Sequence, residues 1–217
     1  NGTITAEWSV SGININSGYT GTITTSAGIA ITVGIDDFTQ ADGTFVAPTT
    51  TLTLGTAAGS DFIKSGGTFT EGTGTVVFAS NATYDVATTE TFYNVTMNQT
   101  SGLTISGDTM VVSNTLTLTS GQFGTGTIDA RGDITQASGF GSSAAILDFG
   151  NDAVAQTYTL NGGFGPKLRL NSSADASDSV VLTADSGLNG LDITSGFSGT
   201  APFTYAGFNL TILDGDF

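Results

Sequence analysis

Few side chains in this sequence could carry out chemistry, and the densest group of them lies around position 131. Asp129, Arg131 and Asp133 alternate along the chain, so on a β-strand they would share one face. Two carboxylates beside a basic group are typical of polysaccharide-cleaving sites. The chain has no histidine and no cysteine, which excludes the Ser-His-Asp and Cys-His mechanisms. We therefore interpret the cluster as a local ion pair in which Arg131 is structural, and we expect no enzymatic activity.

Acidic side chains near predicted turns form the second candidate group. A calcium ion needs several oxygen ligands, and Asp36, Asp37 and Asp42 could supply some of them. Neither the EF-hand pattern nor the glycine-rich calcium repeat is present. The sequence therefore predicts solvated turn acids and no cofactor, with weak calcium binding at these three residues as the alternative.

The pattern N-x-Ser/Thr, which marks sites of asparagine glycosylation, occurs at six positions. Asn81, Asn98 and Asn171 stand near predicted turns and are the expected acceptors if the host modifies asparagine. Asn94 lies inside a predicted strand, where it could instead pair with another asparagine in a ladder.

The composition is that of strands and turns. Thr, Gly, Val, Ile and Phe abound, whereas the helix formers Lys, Arg, Glu and Gln are scarce. Hydrophobic residues make up 38% of the 217 residues, which favours a folded chain. Four basic residues against nineteen acidic ones exclude a nucleic-acid-binding face and argue against docking on anionic lipid. We expect no membrane insertion either, because no apolar run is long enough.

A repeat of 24 residues organises much of the chain. Residues 37–56 and 61–80 are two copies of one pattern, with Phe38 mapping onto Phe62. Each copy contains three short predicted strands separated by turns, and a fixed period of this size is typical of repeat architectures. We predict an all-β, right-handed parallel β-helix with coils of about 24 residues, and a β-sandwich as the alternative. Steps of 24 give one interior column, formed by Phe38, Phe62, Val86, Met110 and Ile134.

Residues 1–35 do not share this period. Residues 3–10 alternate, which predicts one strand with Ile4, Trp8 and Val10 on its apolar face. Terminal coils of solenoids are expected to be atypical, so we predict an N-terminal segment, 1–35, and a repeat domain, 36–217. We expect the three apolar residues to contact a neighbouring copy by strand addition. The alternative is a cap folded onto its own solenoid.

Three blocks of Thr, Gly and apolar residues carry a family resemblance. They are GGTFTEGTGTVVF at 66–78, FYNVTMNQTSGLTISGD at 92–108 and TLTLTSGQF at 115–123. These blocks resemble the repeats of large secreted bacterial and archaeal surface proteins, both adhesin-like and surface-layer-like. The resemblance implies a parallel β-helix, an extracellular location and a structural, adhesive or assembly role.

We therefore predict an extracellular structural protein that assembles with copies of itself into a surface filament, sheath or surface layer. Surface glycans are the alternative partner. The chain begins at Asn1 without a methionine or a signal-peptide pattern, which favours a cleaved precursor or a fragment. The alternative function is a polysaccharide-binding or polysaccharide-processing β-helix, which is supported by fold analogy and the cluster around Arg131.

Overall fold

Alternation of Thr with Val, Ile, Leu and Phe folds this chain into short strands joined by turns. A computed structural model describes residues 1–55, 59–141, 144–149, 155–170, 178–194, 203–204 and 206–214. The regular elements of these residues are all strands: β1 (Gly2–Ile4), β2 (Trp8–Val10), β3 (Ile13–Ile15), β4 (Thr22–Thr25), β5 (Ile31–Val33), β6 (Phe38–Gln40), β7 (Thr44–Val46), β8 (Thr51–Leu54), β9 (Phe62–Lys64), β10 (Thr68–Thr70), β11 (Thr75–Phe78), β12 (Ala82–Val86), β13 (Glu90–Asn98), β14 (Leu103–Gly107), β15 (Met110–Gly121), β16 (Phe123–Thr125), β17 (Thr127–Ala130), β18 (Asp133–Phe140), β19 (Ile146–Phe149), β20 (Thr157–Asn161), β21 (Phe164–Leu170), β22 (Ser179–Leu182), β23 (Ser186–Ile193), β24 (Phe203–Thr204) and β25 (Leu210–Asp214).

Burial follows the alternation within each strand. Both β8 and β11 bury their second and fourth residues and leave the first and third half-exposed. Successive side chains of a strand point to opposite faces, so the apolar set fills the interior and the Thr set forms the outer wall. At two corners Gly43 and Gly67 have φ angles of 65° and 67°, a backbone conformation that residues with a side chain rarely adopt.

The strands stack in parallel ladders and form a β-solenoid. Sheet A contains β1, β4, β7 and β10, sheet C contains β3, β6, β9, β12, β14 and β16, and sheet B contains the other fifteen strands. Equivalent strands are about 22 residues apart and make about eight turns. The predicted parallel β-solenoid is confirmed. The sandwich alternative is wrong, because every strand pair among the described residues is parallel.

The cross-section changes along the solenoid. Sheet A ends at β10, and the next two turns use β13 and β15, which are nine and twelve residues long. Sheet B then divides at β15, whose first part pairs with β17 and whose second part pairs with β18. One branch continues through β19, β21, β23 and β25, and the other through β20, β22 and β24.

The predicted 24-residue register holds at first and then drifts. Phe38 lies beside Phe62 in the ladder between β6 and β9, as predicted. The next residue in that column is Tyr84, whereas Val86 lies beside Lys64. The column at a constant step is therefore wrong beyond Phe62, because the connections between strands vary in length.

The two remaining members of the predicted column lie in sheet B. Met110 is the first residue of β15 and lies beside Glu90. Ile134 belongs to β18 and lies beside Leu116. Both are fully buried, so the residues were correctly assigned to the interior but to the wrong column.

Stacked aromatic rings fill the interior of the early turns. The rings of Phe38 and Phe62 are 5.0 Å apart and only 4° from parallel. Phe45 meets Phe38 edge-on at 5.0 Å, and Phe69 and Phe92 approach Phe62 edge-on at 5.4 and 5.3 Å. These are favourable separations for aromatic pairs. The interior here is one continuous cluster of rings.

Residues 1–35 form the first coil and part of the second. β1 pairs with β4, β2 with β5, and β3 with β6, so the ladders cross residue 35 without interruption. The predicted single strand over residues 3–10 is wrong, because the chain turns at residues 5–7 between β1 and β2. This segment therefore folds as a coil on its own solenoid.

Candidate functional site

The first coil, made of β1, β2 and β3, has unpaired outer edges within the described residues. Each of the three strands has one ladder neighbour, and that neighbour lies on the side of the second coil. Such edges present free backbone N–H and C=O groups and are templates for pairing with another chain. This end of the solenoid is the first candidate interface.

Trp8 is the first member of the longest apolar column among the described residues. Ladder pairing along sheet B joins Trp8, Ile31, Leu52, Val76, Val95, Leu116, Ile134, Tyr158, Val180 and Phe203. The members from Ile31 to Val180 are at most 4% exposed, whereas Trp8 is 40% exposed. Trp8 is exposed because no described residue stacks on its outer side.

The other two predicted assembly residues differ from Trp8. Ile4 lies in β1 and Val10 in β2, and both are half-buried against the core. The three therefore do not form one strand face, although all belong to the first coil. Tyr19 and Ile23 are also half-buried at this end, so the apolar interior reaches the surface here.

Many acidic side chains link neighbouring coils instead of pointing freely into solvent. Asp61 accepts a hydrogen bond from the backbone N–H of Thr83 at 2.6 Å. Asp133 accepts one from Thr157 at 2.9 Å. In each case the partner lies one coil further along, so the carboxylate satisfies a corner N–H that the ladders leave unpaired. Sequence reasoning assigned such acids to solvated turns and missed this role.

The calcium candidates lie among these corner acids. Asp37 accepts the N–H of Asp61 at 2.9 Å, and Asp42 accepts the N–H groups of Gly18 and Gly43 at 3.1 and 2.9 Å. Asp36 is exposed. Among the residues that the structure describes, no three metal-ligating side chains converge. Weak calcium binding at Asp36, Asp37 and Asp42 stays a prediction.

The cluster around Arg131 is divided by a corner. Arg131 donates from Nε and Nη2 to Oδ2 of Asp129 at 3.0 and 2.9 Å, which confirms the predicted ion pair. Asp133 begins the next strand and bonds to Thr157 instead. The cluster therefore does not share one strand face. The shallow groove at this corner is also lined by Ser113.

Two further acids and an arginine extend this charged group along one branch of sheet B. Asp129, Asp148, Arg169 and Asp192 are ladder neighbours on four successive strands. Arg169 bonds to Asp148 at 3.1 Å and lies 3.6 Å from Asp192. Burial raises the pKa of Asp148, an effect that Arg169 opposes and Asp129 reinforces. This charged ladder could not be predicted from the sequence, because the number of residues between ladder partners varies. The polysaccharide alternative would use it and stays a prediction.

Another ion pair lies inside the early turns. Lys64 Nζ and Glu90 Oε2 are 2.9 Å apart, and the two side chains are only 8% and 9% exposed. Burial raises the pKa of the Glu90 carboxyl, and the hydrogen bond from Lys64 only partly opposes that rise. Nothing in the sequence marked this pair, because its members are 26 residues apart and come from different sheets.

The asparagines of the glycosylation pattern occupy different settings. Asn81 and Asn98 are exposed, and their side-chain oxygens accept hydrogen bonds from Ser101 and Ser120 at 3.1 Å each. Asn171 lies outside the described residues. Asn94 accepts a bond from Asn114 at 2.7 Å, so it pairs with another asparagine, although its ladder neighbours are Thr75 and Thr115. Glycosylation itself stays a prediction.

Comparison of this chain with protein-family models, curated proteins and solved structures found no match. Among the described residues, no helix has the length and apolar character needed to cross a membrane. The candidate sites therefore rest on the geometry of the solenoid itself.

Proposed function

We propose that this chain is a structural subunit that assembles with copies of itself into an extracellular surface filament, sheath or layer. The first coil contacts the far end of the next copy. The observation that carries the proposal is the exposed end of the sheet B column, where Trp8 is 40% exposed and its neighbour Ile31 is fully buried. Another solenoid stacked on this end would bury the indole and pair the open strand edges.

The far end of the same column supports a head-to-tail arrangement. Phe203 in β24 is the last described member of the column and is half-buried. Placing β24 of one copy against β2 of the next would continue both the parallel ladder and the apolar column through Trp8. A contact between two different surfaces that repeats without closing produces a filament.

The outer wall of sheet B also supports a structural role. One outward column runs alongside the apolar one, and its members are uncharged. It consists of Ser9, Thr32, Thr53, Val77, Thr96, Thr117, Thr135, Thr159, Val181 and Thr204. Such a neutral wall suits a subunit whose contacts are concentrated at its ends.

The proposed contact differs from donation of a released strand. The first coil is already paired with the second through all three sheets, so the free groups are those of its outer edge. Trp8→Ser should therefore weaken assembly without unfolding the solenoid. We expect the concentration at which polymers form to rise at least tenfold, which corresponds to about 1.4 kcal/mol per contact.

The test is sedimentation velocity with electron microscopy over a series of protein concentrations. Ile35→Ser is the matched control, because Ile35 is also a large exposed hydrophobic residue, at 62%. Unlike Trp8, it lies in the second coil, between β5 and β6. A wild-type chain that remains monomeric at all concentrations would contradict the proposal. Equal effects of the two substitutions would contradict the assignment of the contact to Trp8.

A further inference from the structure

The Lys64–Glu90 pair is a reactive combination in an enclosed setting. Its amine and carboxylate are in direct contact at 2.9 Å, and neither side chain is more than 9% exposed. By contrast, Arg131 in the pair with Asp129 is 44% exposed. Lys64 is also the only lysine that the structure buries among its described residues.

Aromatic residues share the inward strand faces with this pair. Phe62 precedes Lys64 by two residues on the inward face of β9, and Phe92 follows Glu90 by two residues on the inward face of β13. The rings of Phe62 and Phe92 are 5.3 Å apart. Tyr84 stacks on Phe62 at 5.8 Å. The pair therefore lies in a region of low polarity.

Burial makes the charged form of the pair costly, and the reaction between the two groups needs the neutral form. Two charges held away from water carry a desolvation cost that their mutual attraction only partly offsets. Transfer of one proton from Nζ to Oε2 gives a neutral amine beside a neutral carboxylic acid, and neither group then bears that cost. The raised pKa of Glu90 has the same physical cause. A neutral amine is a nucleophile, and the fold holds it against the acid, which replaces an encounter in solution.

We propose that Lys64 and Glu90 join in an intramolecular isopeptide bond. Nζ attacks Cδ of Glu90, the Nζ–Cδ bond forms and the Cδ–Oε2 bond breaks. Oε2 leaves as water with two of the three protons of the original ammonium group, and the third stays on the amide nitrogen. No atom is oxidised or reduced, and no co-reactant is needed.

The bond would join β9 to β13 and enclose the coil made of β10, β11 and β12. A cross-link restricts the unfolded chain and raises stability for that reason. It would also hold successive coils together under tension. The bond lies inside one chain and does not depend on assembly, so it can exist whether or not the proposed function is correct.

The experiment measures the mass of the purified full chain under denaturing conditions. We expect it to be lower than the sequence mass by one water molecule. Trypsin gives an independent measurement, because Lys64 and Arg131 are consecutive cleavage sites in a chain with four basic residues. Acylation removes the Lys64 site, so residues 1–131 should remain one peptide. Fragmentation of that peptide should locate the link between Lys64 and Glu90.

Lys64→Arg is the matched control, because it keeps the positive charge and the trypsin site but lacks the amine. We expect it to show the full sequence mass and to be cleaved after position 64. A wild-type chain of full mass that trypsin cuts at Lys64 would overturn the proposal. So would a water loss that persists in the variant, since dehydration at an Asp-Gly sequence such as Asp42-Gly43 would then explain it. Fragmentation of the wild-type peptide decides the question even if the variant does not fold.

Discussion

The early turns of the solenoid, up to and including β13, and the turns after β13 stabilise the same parallel stack in different ways. In the early turns the 24-residue spacing places Phe38 beside Phe62 and Phe45 beside Phe69, so identical rings stack. The early interior also contains buried polar groups, namely Gln40, which donates to the carbonyl of Thr68 at 2.9 Å, and the Lys64–Glu90 pair. In the later turns the spacing drifts, and the buried side chains include polar groups that bond to one another. When the number of residues between successive coils is constant, like side chains can stack on one another. When that number varies, different side chains meet, and the polar ones among them need specific hydrogen-bond partners.

The later interior keeps some ring pairs, such as Phe123 and Phe140 at 5.7 Å, and adds a network of buried polar side chains. Tyr158 donates its hydroxyl to Gln136 at 2.6 Å, and Gln136 donates its amide to the carbonyl of Gly162 at 2.8 Å. Gln156 donates to the carbonyl of Ala130 at 2.9 Å. Tyr158, Gln136 and Gln156 are fully buried. Buried polar groups that all have hydrogen-bond partners favour one specific packing of the interior.

The largest expected effect is the loss of a ring from the early stack. Phe62→Ala should lower the free energy of unfolding by about 5 kcal/mol, at the upper end for such a change, because Phe62 contacts four other rings. Leu168→Ala, at an equally buried site in the later turns, should cost about 3 kcal/mol.

Urea unfolding of both variants beside the wild type measures this difference, provided that the slopes agree. Equal losses would contradict the distinction between the two regions. A loss well under 1 kcal/mol for Phe62→Ala would show that the aromatic stack contributes little to stability.

Sequence reasoning succeeded where one local pattern determined the outcome. Alternation alone identified the strands, and the matching blocks at Phe38 and Phe62 identified the parallel stack. It failed where the result depended on connection lengths, so Val86 was placed above Phe62 although Tyr84 lies there. Glu90 was missed for a different reason, since it lies 26 residues from Lys64 and on another sheet.

The same contrast between local patterns and connection lengths applies to the candidate sites. Trp8 was singled out because apolar alternation at the start of the chain is visible in the sequence, although the turn between β1 and β2 was not foreseen, and its role in assembly stays a prediction. The partner of Asp129 was found because Arg131 is two residues away. Asp148 and Arg169 were missed, because they reach the same ladder only after a full turn of unequal length.

A smaller effect is expected from removing one hydroxyl in each region. Tyr158→Phe leaves the Gln136 oxygen buried without its donor, which should lower the free energy of unfolding by about 1–3 kcal/mol. Tyr84 donates over a longer distance, 3.2 Å, to the carbonyl of Thr109, and Tyr84→Phe should cost about 1 kcal/mol or less. Urea unfolding again provides the measurement. A larger loss for Tyr84→Phe than for Tyr158→Phe would contradict the view that buried hydrogen bonds contribute more to stability in the later turns.

The smallest expected effect concerns the response of two acids to pH. Asp108 lies at an exposed corner, and hydrogen bonds from Thr109 and then Thr89 lower the pKa of its carboxyl. Asp148 lies in the charged ladder, where burial raises its pKa despite Arg169. Titration of the carboxyl carbon signals by NMR should therefore find Asp108 below, and Asp148 above, the ordinary range for aspartate.

The two shifts have opposite consequences for stability. Because the folded state lowers the pKa of Asp108, its contribution is present above the ordinary pKa of aspartate and is lost as the pH falls through the lowered value. The raised pKa of Asp148 means that protonation favours the folded state, so its ionisation becomes unfavourable as the pH rises from the ordinary value through the raised one.

Asp108→Asn should therefore destabilise the protein more at neutral pH than in acid. Asp148→Asn should change the pH profile in the opposite direction, with the ion pair to Arg169 limiting the size of the change. Unfolding midpoints of both variants across the acidic range measure this contrast, and parallel profiles would contradict the assignment of Asp108 to an exposed hydrogen-bonded corner and Asp148 to a desolvated ladder.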